Sequence, residues 1–108
     1  MPLTTDQNGY VRLGDVCRDI LGMQCQYGSQ YAAPYYASEE AKAKGERTPY
    51  LGDGLDITGD PSDYHFMMIH RASVKTFVTR VAEYKQANFI WSEQQVASAL
   101  AKLAQSAL

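Results

Sequence analysis

Cysteine is scarce in this chain, occurring only at Cys17 and Cys25. The first residues, Met1-Pro2-Leu3-Thr4-Thr5-Asp6, carry no basic segment leading into an apolar run, so no signal peptide is read there. Together these features predict reduced thiols in a cytoplasmic protein rather than a disulfide scaffold. Long hydrophobic runs are also missing. The longest, Phe66 to Ile69, is far below the roughly 20 residues needed to cross a bilayer. Histidine occurs twice, at His65 and His70; on one strand, five residues apart, their side chains fall on opposite faces and cannot jointly hold a metal without help. Asp53, Asp56, Asp60 and Asp63 lack the EF-hand spacing and its bidentate glutamate. No paired-cysteine motif, phosphate-cradling glycine loop or nucleophile elbow is present. The expectation is therefore a protein with no catalytic residues, metal or cofactor. A basic excess is lacking as well, with 10 Lys and Arg against 12 Asp and Glu and a formal net charge of -2. Any contact with nucleic acid must then come from a local patch.

What is present describes one globular domain. The 108 residues are 45% hydrophobic and 20% charged, enough to build a single core. Tyr10 to Leu13 alternates like a short strand. Leu13, Val16, Cys17, Ile20 and Leu21 then recur at helical spacing, with Gly14-Asp15 at the start and Gly22 as the stop. A turn or two of helix fits Gln24 to Ala33, ended by Pro34. Ser38 caps a short helix that runs from Glu39 and Glu40 to Lys42 and Lys44, with Gly45 closing it. Thr48 to Leu51 reads as an edge strand, Gly52 to Asp63 as an acidic loop, and Tyr64 to His70 as the best strand. Ser73 caps a helix with Val74, Phe77, Val78, Val81 and Tyr84 on one face. Ser92 and Gln95 form a capping box for a last helix, whose apolar positions are Val96, Ala99, Leu100, Leu103 and Ala107. The class is α+β with little sheet. One domain spans 1–108, with a core over 9–86 and a C-terminal helical extension over 87–108.

Two surfaces carry recognition chemistry. Lys42, Lys44 and Arg47 cluster where they could reach phosphates. Gln24, Gln26, Ser29 and Gln30 offer amide and hydroxyl groups of the kind that read base edges. Against this stands a protein-binding surface of aromatic anchors and charged rim: Tyr27, Tyr31, Tyr35 and Tyr36, with Asp53 and Asp56. Eight tyrosines in the chain, four of them between Tyr27 and Tyr36, make that rival concrete.

The order of motifs adds a family resemblance. The run Tyr10-Val11-Arg12-Leu13-Gly14-Asp15-Val16-Cys17-Arg18-Asp19-Ile20-Leu21-Gly22-Met23 resembles the opening of pyocin-activator-type phage and prophage regulators. Phe66-Met67-Met68-Ile69-His70-Arg71, with Val74, Phe77 and Val78, looks like that family's closing strand and helix. The likeness covers roughly 9–22 and 64–84. It implies an excisionase-like, MerR-like winged helix, whose second helical segment enters the major groove and whose strand pair forms the wing. The function implied is a DNA-binding transcriptional regulator or accessory protein of a phage, prophage or plasmid, acting on double-stranded DNA. The alternative is a small mobile-element protein that binds and inhibits a host protein, of the anti-defence type. The C-terminal helix, with Val96, Leu100 and Leu103, could supply a homodimer seam or pack on its own domain.

Overall fold

A tight turn precedes the first strand. The Asp6 carboxylate accepts the amide N–H groups of Asn8 and Tyr10, and the Asp6 amide donates to the Tyr10 carbonyl. That turn aims Tyr10 into strand β1 (Tyr10–Arg12), which runs directly into helix α1 (Leu13–Asp19). The computed structural model describes residues 3–24, 29–32, 38–47, 49–106 and 108. Beyond α1 lie a 3-10 turn (Ser29–Tyr31), helix α2 (Glu39–Lys44), strand β2 (Ile57–Thr58), a 3-10 segment (Pro61–Phe66) and strand β3 (Met68–His70). Helices α3 (Arg71–Ala87) and α4 (Glu93–Gln105) follow. The fold is thus α+β, with four α-helices among the described residues and a three-stranded antiparallel sheet in the order β1-β3-β2.

Ile69 is the hub of that sheet. It stands opposite Val11 on one side and Ile57 on the other. The Leu13 amide donates to the Met67 carbonyl and the Arg71 amide to the Gly9 carbonyl, so both helix starts are bonded to the opposite strand's flank. Leu13, Val16, Cys17 and Ile20 of the first helical stretch meet Val74, Phe77, Val78 and Val81 of α3, all fully or almost fully buried. Each large apolar side chain buried in this way contributes about 1.5–3 kcal/mol. The apolar spacing read along both helices is therefore the core.

The caps follow the sequence closely in α2 and α4. The Ser38 hydroxyl accepts the Ala41 amide N–H at 3.0 Å, and Gly45 ends α2 in the left-handed region at φ 72. Helix α2 has no fully buried residue, and its caps and charge order stabilise both of its ends. At α4, Ser92 and Gln95 exchange hydrogen bonds as a complete capping box. Helix α4 packs on α3 through Ala99, which is buried, and Leu103, which is packed against the core. The helix thus docks on its own domain, and Leu100 is the part of the expected seam that stays exposed. No helix among the described residues is long and apolar enough to cross a membrane.

Several expectations need correction. The strand expected over Tyr64 to His70 is only Met68–His70, because the Met67 amide bonds back to the Tyr64 carbonyl and winds the preceding residues into a 3-10 turn. His65 consequently lies outside the strand. Of the expected edge strand, Pro49 to Leu51 is irregular, and the strand on that side is β2, inside the stretch read as loop. Helix α3 begins two residues before Ser73. Its cap is His70, whose Nδ1 accepts the Ala72 amide N–H, while the Ser73 hydroxyl accepts the Asp56 amide. Cys17 is buried as its helical position implied, whereas Cys25 and Ala107 lie outside the described residues.

Candidate nucleic-acid interface

The first turn of α1 and the loop joining β2 to β3 frame an open cleft of about 510 Å3. Arg12, Asp15 and Arg18 line it from the end of β1 and from α1, Gly22, Met23 and Gln24 from the segment after α1, and His65 from the hairpin loop. Arg12 reaches it because β1 passes into α1 without an intervening loop. His65 reaches it because the 3-10 segment swings the hairpin loop back toward α1.

The charges in the cleft are unequal in availability. Arg18 is held by Asp19 at 2.9 Å and Asp15 at 3.0 Å. Its hydrogen bond to Asp19 keeps that carboxyl below the usual carboxylate range and raises the guanidinium above its own. Arg18 is therefore largely compensated. Arg12 is exposed and makes no ion pair with a described residue, which leaves it as the cation able to meet an anion. Among the described residues, no three His, Cys, Asp or Glu side chains converge where a metal could sit.

The residues singled out from sequence are divided by the fold. Gln24 is exposed and joins the cleft. Gln30 is half-buried in the 3-10 turn, and Ser29 beside it is buried, so the Ser29 hydroxyl cannot reach a base edge. Gln26 lies outside the described residues. Lys42, Lys44 and Arg47 are exposed on and after α2, away from the cleft lining, and Lys44 pairs with Glu40 at 3.0 Å.

The rival set is divided too. Tyr31 is half-buried, its ring tilted against Tyr84 at 5.7 Å, with the Lys85 ammonium 5.7 Å from its centre. Asp56 accepts the Tyr10 hydroxyl, and the Asp53 main-chain carbonyl accepts from Arg80 at 2.7 Å. Tyr27, Tyr35 and Tyr36 lie outside the described residues.

No protein-family model, no curated protein and no solved structure matches this chain. The site therefore rests on its own geometry. Sequence reading missed that Arg12 and His65 line one cleft, since it placed His65 in a strand. The signal available was Pro61-Ser62-Asp63, whose turn-forming residues stand directly before it.

Proposed function

We propose that this protein is a DNA-binding regulator or accessory protein of the phage, prophage or plasmid kind, with a winged-helix arrangement and double-stranded DNA as its partner. One observation carries the reading: a β1-β3-β2 sheet whose hairpin loop lies beside α1 and shares a cleft with Arg12 and Gln24. A hairpin of this kind serves as a wing, and the helical segments after α1 serve as the part that enters the major groove. Arg12, Lys42, Lys44 and Arg47 supply phosphate contacts, Gln24 and Gln30 offer amides to bases, and His65 approaches from the wing. The wing tip is less acidic than the sequence suggested. Asp53 and Asp56 fall before β2, leaving Asp60 and Asp63 on the hairpin loop.

The host-protein inhibitor is the weaker reading, because Tyr31 and Asp56 are engaged within the fold and so are not spare anchors.

Duplex DNA titrated across a salt series tests the proposal. Affinity should fall steeply with salt, because each neutralised phosphate releases counterion. Lys42→Ala with Lys44→Ala should reduce the log–log slope by roughly one to two units, with similar loss on every sequence. Arg12→Ala should lower the slope by about one more. Absence of binding at low salt overturns the reading.

A further inference from the structure

Helix α3 ends in an unusual way. The Ile90 amide donates to the Lys85 carbonyl and the Phe89 amide to the Gln86 carbonyl, the paired bonds of a Schellman stop. The left-handed position of that stop, normally glycine, is Phe89 at φ 60. Its side chain is 96% exposed, and Ile90 beside it is 51% exposed. A phenylalanine here strains the backbone and buries nothing, so folding of the single chain gives no reason for it.

The same chain carries a groove that would take such a side chain. Between α3 and α4 an apolar trough of about 490 Å3 is lined by Val74, Leu100, Leu103, Ala104 and Leu108, with Arg71 and Lys75 at its edge. Arg71, Lys75, Thr79, Glu83 and Gln86 recur along one face of α3 at three- and four-residue steps. Cations stand at the start of that face and Glu83 near its end, on the side of the Phe89 turn. Antiparallel pairing of two such faces about Thr79 sets Lys75 against Glu83 of the other copy, twice. Eight helical residues at 1.5 Å then carry Ala87 about 12 Å from the axis, level with Arg71 of the other copy, and Phe89 follows just past the helix end, at the Arg71 and Leu108 end of the opposite groove.

We propose that this protein forms a two-fold homodimer in which Phe89 of each copy inserts into the α3–α4 groove of the other. The interface is self-complementary, knob to groove and Lys75 to Glu83, as two-fold symmetry requires. It uses none of the residues of the Arg12 cleft, so it stands or falls apart from the DNA-binding reading.

Sedimentation velocity on the full chain, over a concentration series from micromolar to near millimolar, tests it. The wild type should pass from monomer to dimer and no further. Phe89→Gly should raise the melting temperature measured at monomer concentration, because glycine suits the left-handed position, yet weaken dimerisation at least tenfold. Lys75→Glu and Glu83→Lys should each weaken the dimer several-fold, and the double variant should recover most of the loss. A wild type that stays monomeric throughout, or builds open-ended oligomers, overturns the proposal. So does a Phe89→Gly variant that dimerises as the wild type does, or a charge swap that fails to recover.

Discussion

Tyr10 and Asp56, 46 residues apart, are joined by a 2.7 Å hydrogen bond from the phenol to Oδ2. The Tyr10 ring also meets His70 edge-on, with centroids 5.1 Å apart. Asp56 is held at two further points, accepting the His70 amide on its carbonyl and donating its own amide to the Ser73 hydroxyl. What reads in sequence as one aspartate among several in a loop is a junction of β1, β3 and α3.

That junction should be visible in the ionisation of Tyr10. The hydrogen bond to Asp56, aided by the nearby negative charge, raises the phenol above its ordinary value near 10. The neutral phenol is the favoured folded form. Its stabilisation is therefore complete below about pH 10 and is lost as pH rises through the folded value. Spectrophotometric titration of wild type against Asp56→Asn should show one tyrosine moving to lower pH in the variant.

Phe77 is fully buried in the core cluster that includes Leu13, Val16 and Ile69. Phe77→Ala should cost about 3–5 kcal/mol, from lost transfer energy and the cavity left behind. Urea unfolding gives the number, and a loss below about 1 kcal/mol would contradict this packing.

Lys85 is buried, with its ammonium 5.2 Å from the Trp91 ring centre and 5.7 Å from that of Tyr31. Desolvation lowers its pKa, so the unfolded chain holds the proton to higher pH than the folded one does. Stability attributable to Lys85 should then rise as pH climbs through the lowered folded value toward that of the unfolded chain. Lys85→Met, which keeps the apolar stem, should remove that rise. Thermal unfolding of both proteins across an alkaline pH series provides the comparison.

Gly52 has an ordinary backbone conformation but no room. A Cβ there would stand 2.5 Å from the Ala32 carbonyl oxygen and 3.0 Å from Ile57 Cδ1. Because the obstacle is backbone, Gly52→Ala should destabilise by roughly 1–3 kcal/mol. The same substitution that proves neutral in chemical denaturation would show that the 29–32 turn yields easily.

The helices were legible because their evidence is local. Val74, Phe77, Val78 and Val81 announce a buried stripe through spacing alone, and Ser38 and Ser92 announce caps through their neighbours. The hairpin was not legible to the same degree. Phe66-Met67-Met68-Ile69 is a continuous apolar run that suits a strand, yet Phe66 is exposed and belongs to the 3-10 segment, while Met67 is buried. Which of the four pairs with β1 depends on residues far away in sequence. The candidate site divides in the same manner. Lys42, Lys44 and Gln24 advertise themselves by type, whereas the cleft that His65 shares with Arg12 exists only once the hairpin has formed. Phe89 gave no warning, since a left-handed phenylalanine has no sequence signature.

The pairing of β1 with β3 also sets a timetable for synthesis. Tyr10, Val11 and Arg12 leave the ribosome first, and their partners His70, Ile69 and Met68 emerge only after the long segment between them has been made. Through that interval α1 has neither β3 beneath it nor α3 against its apolar side. Nascent chains stalled before residue 70 should remain sensitive to protease, and resistance should appear abruptly once α3 clears the exit tunnel rather than build up helix by helix.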